Sequence, residues 1–507
     1  MKNRLVRSVL VIVGALGFAA ATYAQSNAEA SARWKALDSF IQTGMQKWKV
    51  PGLAVGIVQN GQTVYVKGFG VRDITTGQPV TVDTLFDIGS CTKAFTAAAA
   101  GILMDEGKMH WDDRVDEFIP FFHLYDPLAD ENVTMRDLLT HRTGLSGGDL
   151  LWYGTEYSLP EIIRRVRYIK PQWGFRARFE YNNVMYATAG YAEGQASGGT
   201  WEDFVRAHIF VPLGMTGADF SATDAQKAAD HATPHDEKGG KVSTIPWRNI
   251  DSVAPAGAIN AGVKDMTKWI AMQLNDGMAN GQQIVSSRNV REMHTPQIVV
   301  PQGGEFELFF PKSLQLSYGM GWFIEDYGGH QIWLHPGDID GFASLVALIP
   351  EVKTGFVIFA NLDHTPLREG LGYHLIDEFL SLPEQDWTAH FAGVEDRFTA
   401  MGKRAEDAEA HPKYPNTQPS HELAAYAGTY GNKTYGDIVV SLENGQLHVK
   451  FHSFDGALKH FQFDTFIGDV SGFGHTPVMF SLDEGGNVSK LRMAGVEFER
   501  GEARDAQ

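Results

Sequence analysis

The chain has 507 residues, with 43 Lys and Arg against 61 Asp and Glu, a formal charge of −18, 43% apolar residues and one cysteine. That composition describes a folded globular protein of more than one domain, not a disordered or fibrous one. The acidic balance argues against a nucleic-acid partner, and a single cysteine excludes an internal disulfide, a Cys-rich zinc site and an iron–sulfur cluster.

Residues 1–24 read as a signal peptide. Lys2, Arg4 and Arg7 precede an apolar run from Val9 to Ala21, and Thr22-Tyr23-Ala24 supplies small residues at the cleavage positions. The rival is an uncleaved anchor, but the run is short for a membrane span. The expected location is therefore periplasmic or secreted, with no stable membrane insertion after cleavage. Export permits disulfides, yet this chain can form none and must rely on its core.

Gly52–Gln59 and Thr63–Phe69 flank Asn60-Gly61, a strong hairpin pattern. A helix rich in small residues is expected from Ser90 to about Glu106. Thr134 can cap a helix through Leu139, and Lys264–Leu274 is a helix stopped by Asn275-Asp276-Gly277. Strand-like runs return at Gln331–Leu334, Phe342–Ile349 and Gly355–Asn361, followed by a helix around Gly372–Leu380. Strands early and late with helices between them predict an α/β (α+β) domain over residues 30–400, its sheet closed by both ends of the sequence around a helical insert. Residues 401–420 carry charges and prolines and read as a linker. Residues 421–503 read as a small antiparallel β domain, with Ile438, Val440, Leu442, Leu447, Val449 and Phe451 alternating about Asn444-Gly445 and further runs at Phe461–Phe466, Val478–Leu482 and Lys490–Phe498.

Ser90-Cys91-Thr92-Lys93 is the chain's S-x-x-K, at the opening of the small-residue helix. Residues i and i+3 share a helix face, so Ser90 and Lys93 can touch. A serine hydroxyl needs a neighbouring base to become a nucleophile, and a buried lysine can be neutral enough to serve. Tyr181-Asn182-Asn183 is a Y-x-N inside the same domain, unlike the matches at Tyr414 and Tyr430. Tyr181 can relay a proton, and Asn183 can hydrogen-bond a substrate amide. Two candidates compete for the third element. Lys353-Thr-Gly355 is a literal K-T-G but sits where a hairpin turn is expected. His335-Pro-Gly337 ends a strand and leads into Asp338 and Asp340, with Gly337 allowing close backbone approach, so His335 is favoured. No clustered second histidine accompanies His335, and neither a metal nor a cofactor is expected.

These residues, with Leu138–Leu145, Pro212–Thr216, Ala254–Ala258 and Tyr318–Trp322, resemble the class C β-lactamase-related serine hydrolases over about residues 35–395. The segment around Ala425–Tyr430 and Tyr435-Gly436 resembles the lipocalin-like domain appended to some of them. The resemblance implies a β-lactamase/transpeptidase-like sheet and an acyl-enzyme on Ser90, with Lys93 as base and Tyr181 protonating the leaving group. It also implies an oxyanion site made by the backbone N–H groups of Ser90 and Asp338. His335 stands where β-lactamases have a lysine for the substrate carboxylate, so that charge is lost or made pH-dependent. The expected substrate is a small peptide, with an ester or β-lactam as alternative and a non-catalytic peptidoglycan-binding protein as the outside case; assembly into a homo-oligomer stays open. Asp338 and Asp340 are expected to face a substrate ammonium. Thiol reagents at Cys91 are expected to obstruct the site.

Overall fold

The computed structural model describes residues 31–301, 303, 306, 309–410, 413–470 and 474–501. The signal-peptide segment, residues 1–24, lies outside the described residues. Asn60 and Gly61 have φ of 51° and 73°, the left-handed pair that a two-residue hairpin turn demands. They join β1 (Gly52–Gln59) to β2 (Gln62–Gly70). The other strands of that sheet are β3 (Ile298–Val299), β4 (Ser313–Tyr318), β5 (Phe323–Tyr327), β6 (His330–Ile339), β7 (Phe342–Ile349) and β8 (Thr354–Ala360). Their order is β2-β1-β8-β7-β6-β5-β4-β3, antiparallel throughout. Pairing of β1 with β8 closes the sheet with both ends of the domain, as expected from the sequence.

Both faces are covered. A helix over residues 31–48 (α1) and α5 (Leu367–Leu380) pack on one face, and α4 (Val263–Leu274) packs on the other. Glycines set the separation on the α4 side: a Cβ on Gly56 would lie 2.6 Å from Thr267, and one on Gly355 would lie 2.7 Å from Ile270. The insert between β2 and β3 contains α2 (Lys93–Asp105) and α3 (Asn183–Ser197), the two helices that carry the candidate site. Thr134 caps its helix as expected, in a reciprocal capping box with Asp137. The K-T-G segment is a turn, with Lys353 at φ 49° at the end of β7 and β8 remote from Ser90.

Two boundaries differ from expectation. Residues 402–410, read as linker, continue a helix, α6 (Trp387–Ala410). The segment lacks large apolar residues, but Ala, Glu, Lys and Arg are strong helix formers, so propensity sustains the helix without a deep core face. The run Phe461–Phe466 is not one strand: a turn with Phe463 at φ 47° joins the strand ending at Gln462 to the one starting at Thr465.

The C-terminal strands β9 (Gly428–Asn432), β10 (Gly436–Glu443), β11 (Gln446–Phe451), β12 (Phe454–Gln462), β13 (Thr465–Val470), β14 (Gly474–Leu482), β15 (Val488–Met493) and β16 (Val496–Arg500) form a closed up-and-down barrel. Closure runs through Gly431 of β9 and Glu499 of β16. The inside is filled by Tyr426, Tyr430, Phe451, Phe454, Phe466, Phe480 and Phe498 among aliphatic side chains. A packed interior, not a ligand chamber, is therefore the barrel's centre.

The barrel is tied to the insert. The Gly154 carbonyl accepts from Ser453 Oγ at 2.7 Å, and Arg165 Nη1 donates to the Lys433 carbonyl at 3.0 Å. Tyr153 stacks on Phe454 at 6.0 Å between ring centres and donates its hydroxyl proton to Asp340 at 2.8–2.9 Å.

Candidate active site

The nucleophile's turn is built by short-range constraints. Phe86-Asp87 pairs with Asn260-Ala261, and Asp87 Oδ1 accepts the Gly89 N–H at 2.8 Å. Gly89 takes φ +50°, and a 3-10 turn over Gly89–Thr92 leads into α2. Ser90 and Lys93 thereby share a face, and Lys93 Nζ lies 2.9 Å from Ser90 Oγ. Nζ also lies 2.8 Å from Asn183 Oδ1 and 2.7 Å from the Ala256 carbonyl.

Lys93 is fully buried, and burial pulls its amine down to about 7 against a partial opposing pull from Asp149. A neutral amine has two N–H donors and one lone pair. The Ala256 carbonyl and Asn183 Oδ1 can only accept, so the two donors go there and the lone pair faces the Ser90 hydroxyl. That is the arrangement of a general base. Asn183 Nδ2 donates to Asp149 Oδ1 at 3.2 Å, so the side chain ties the lysine to Asp149 and keeps a second N–H for the substrate amide expected from the sequence.

Lys93 Nζ sits 4.8 Å from the centre of the Tyr181 ring. Burial drives the Tyr181 phenol well above its usual range, against a smaller opposing pull from Ser90. Tyr181 is thus a neutral proton donor next to the nucleophile.

Gly337 fits the expectation of close approach. A Cβ there would lie 2.1 Å from the Ile88 carbonyl oxygen and 3.0 Å from the Ser90 nitrogen. Pairing with β7 alternates along β6, and Pro336 has no N–H, so the bonded positions fall at 335, 337 and 339. The Asp338 N–H is turned the other way, and a Cβ on Gly89 would lie 2.8 Å from that nitrogen. The backbone nitrogens of Ser90 and Asp338 therefore lie on segments packed directly against each other.

His335 is placed differently from its expected role. It is 1% exposed and packs behind Tyr181, with ring centres 6.3 Å apart. Its Nδ1 lies 2.6 Å from the Pro336 carbonyl, which can only accept, so Nε2 accepts from Tyr318 at 3.1 Å. Burial, with Lys93 nearby, pulls the imidazole down to about 3. The cation found in β-lactamases is lost here, not pH-dependent, and His335 supports the site from behind.

The carboxylates expected to greet an ammonium are already paired. Asp338 Oδ1 meets Arg368 Nη1 at 2.6 Å; burial alone would raise this carboxyl, but the guanidinium outweighs it and holds it down to about 2. Asp340 is held by Arg248 Nη2 at 2.8 Å and by Tyr153. Arg368 and Arg248 are distant in sequence from β6, and no local pattern marks them. Cys91 Sγ lies 3.1 Å from the His335 carbonyl, buried, its thiol pushed up to about 12 by burial. It is a strut between the Gly89–Thr92 turn and β6, not an exposed thiol.

Two cavities meet at Asp338 and His364. One, of about 840 Å³, lies between the end of β6, residues 236–248 and the barrel residues Asp469, Val470 and Gly474. The other, of about 630 Å³, lies behind β6 against α5 and α6 and is lined by Phe306, Phe310, Phe323, Tyr373, Phe391 and Phe398. Among the described residues no group of three or more His, Cys, Asp or Glu side chains is placed to hold a metal ion, and no helix is long and apolar enough to cross a membrane.

Comparison with known proteins agrees with this fold. The unguisins hydrolase ungD′ of Aspergillus campestris is 30% identical over 426 residues, covering 79% of this chain and 76% of that protein. The unguisins hydrolase ungD of Aspergillus violaceofuscus is 29% identical over 443 residues, covering 80% and 77%. The octameric penicillin-binding protein homologue from Pyrococcus abyssi superposes with a TM-score of 0.63 at 23% identity, over 92% of this chain and 99% of that one. Residues 412–505, the range that contains the barrel strands, match a domain of unknown function (DUF3471). Residues 37–380 match the Beta-lactamase family model, and the chain belongs to the beta-lactamase family.

Proposed function

We propose that this protein is an exported serine hydrolase that cleaves amide bonds of small linear peptides, D- or unusual residues included, through an acyl-enzyme on Ser90. One observation carries the reading: a buried lysine amine, held near neutrality, sits 2.9 Å from a serine hydroxyl with its other partners all acceptors. Ser90 Oγ attacks the carbonyl carbon while its proton passes to Lys93. The Ser90 and Asp338 N–H groups stabilise the oxyanion. The C–N bond breaks as Tyr181 delivers a proton to the departing amine. Water then attacks the Ser90 ester, giving up a proton to the Tyr181–Lys93 pair; the ester C–O bond breaks as that pair returns a proton to Ser90 Oγ, and the carboxylate product leaves.

The cavity walled partly by the barrel at Asp469, Val470 and Gly474 reaches the site at Asp338 and is not lined by Ser90, Lys93 or Tyr181, so the barrel borders the approach to the nucleophile, which suits small substrates. The curated relatives named for hydrolysing unguisins support a hydrolase in this branch. The missing cation at His335 counts against efficient β-lactam turnover. Matched ester, D-amino-acid anilide and cephalosporin substrates test the proposal on the purified protein. Anilide hydrolysis lost in Ser90→Ala is expected; activity confined to the cephalosporin, or hydrolysis unchanged by Ser90→Ala, overturns it. Export is checked by mass spectrometry of the mature N-terminus, expected at Gln25.

A further inference from the structure

The segment Leu138–Leu145 contains a histidine that the proposed chemistry does not use. His141 is fully buried and takes φ +56°, a left-handed conformation that a histidine adopts at a cost. Its carbonyl accepts the Glu180 N–H at 2.8 Å, and its Nδ1 accepts the Asn182 N–H at 3.0 Å. One residue thus grips the backbone on both sides of Tyr181. Its ring lies against Tyr181 at 4.3 Å, Tyr318 at 4.8 Å and Tyr186 at 4.9 Å between centres.

Because Nδ1 accepts a backbone N–H, the ring proton is on Nε2, and Nε2 is buried with no hydrogen-bond partner among the described residues. An unsatisfied buried N–H costs stability, on the order of 1–3 kcal/mol. An apolar ring of the same size would avoid that cost but would forfeit the Nδ1 acceptor. Nδ1 also fixes the start of α3, since Asn182 is its N-cap and Asn183, its next residue, holds Lys93.

We propose that His141 is a positioning residue for Tyr181, setting the phenol against Ser90 by bracketing its peptide groups and backing its ring. The proposal rests on the hydrolase reading and adds to it. Two substitutions separate its parts. His141→Phe keeps a ring and deletes the acceptor; His141→Asn keeps an acceptor at the Nδ1 position, tolerates positive φ and deletes the ring.

The readouts on the full chain are Ser90 labelling by a fluorophosphonate probe and kcat and KM for a 4-nitrophenyl ester. In His141→Phe, kcat falls about 100-fold with KM little changed, the scale of a small misplacement of a reacting group. His141→Asn recovers to within about 10-fold of the original kcat. In a Tyr181→Phe background, adding His141→Phe lowers kcat by less than about 3-fold, because the two act as one unit. An unchanged kcat in His141→Phe, no recovery in His141→Asn, or the same 100-fold loss in the Tyr181→Phe background overturns the positioning role alone. Absence of Ser90 labelling in the unaltered protein overturns the hydrolase reading and this proposal with it.

Discussion

The molecule has two interiors, and they are buried for different ends. The barrel encloses aliphatic and aromatic side chains, and its buried tyrosines are satisfied: Tyr430 donates to the Tyr426 carbonyl at 2.7 Å, and the Tyr426 hydroxyl bonds to Asp464. The cluster beside Ser90 buries a lysine, two histidines and two tyrosines against the half-buried Tyr181, and leaves the His141 Nε2 unpaired. Burial in the barrel supplies stability through apolar area and packing. Burial in the site perturbs protonation, which stabilises nothing but prepares a base.

The largest effect is expected at Lys93. Lys93→Met preserves length and volume and removes the base, so turnover falls about 10²–10⁴-fold. Stability moves the other way. Folding takes the amine from an ordinary value of 10.5 to about 7. Between those pH values the unfolded chain binds the proton that the folded chain has released, so stability rises as pH climbs from about 7 toward 10.5. The depressed lysine is therefore a liability at neutral pH, and Lys93→Met raises Tm while abolishing turnover. For the unaltered protein, kcat/KM rises through about pH 7 as the base loses its proton. A lower Tm in Lys93→Met, or a rate flat from pH 5 to 9, would show that the lysine is buried charged.

Gly337→Ala comes next. The added Cβ would meet Ile88 O at 2.1 Å and Ser344 Oγ at 2.3 Å, forcing β6 away from the Gly89–Ser90 turn. The two N–H groups flanking the oxyanion would separate, and turnover should drop about 100-fold with only a modest shift in Tm. Turnover within 2-fold of the original would remove the Asp338 N–H from the mechanism.

In the barrel the expected effects are on stability alone. Phe466→Ala deletes a ring from its centre and costs about 3–5 kcal/mol. A two-step thermal melt should show the first transition moving down while Ser90 labelling at room temperature stays unchanged. Loss of labelling before the barrel melts would show that the ties at Gly154 and Arg165 transmit strain to the nucleophile, and that the interiors are not independent.

What the sequence disclosed follows the range of the interactions. Asn60-Gly61 and Asn444-Gly445 specify hairpins because the turn's positive φ values are met by those residues themselves. Ser90 and Lys93 announce each other because three residues on a helix make a contact. The neutralisation of Asp338 by Arg368 and of Asp340 by Arg248 was hidden, since each pair joins segments brought together only by the finished sheet. The hold of Asn183 on Lys93 was hidden for the same reason: Asp149 and Lys93 reach it from separate elements. The barrel's alternation was visible, but its closure depends on β9 meeting β16, at opposite ends of the domain.

The smallest effect is expected at Cys91, and it bears directly on the contrast. A thiol one residue from the nucleophile suggests, from sequence alone, a point of inactivation. Its surroundings are those of the barrel's interior: buried, hydrogen-bonded to the His335 carbonyl and to Ser344, with ionisation pushed up to about 12. The reactive thiolate is therefore scarce at neutral pH, and the sulfur is shielded from reagents. Native protein should resist iodoacetamide for hours with turnover intact, and modification should appear only once denaturant opens the domain. Cys91→Ala removes two weak sulfur contacts and a small volume, so turnover should stay within about 3-fold and Tm fall by a few degrees. Rapid modification with loss of activity in the native state would mean that α2 and β6 part in solution, and that the pocket around Ser90 opens more readily than its packing implies.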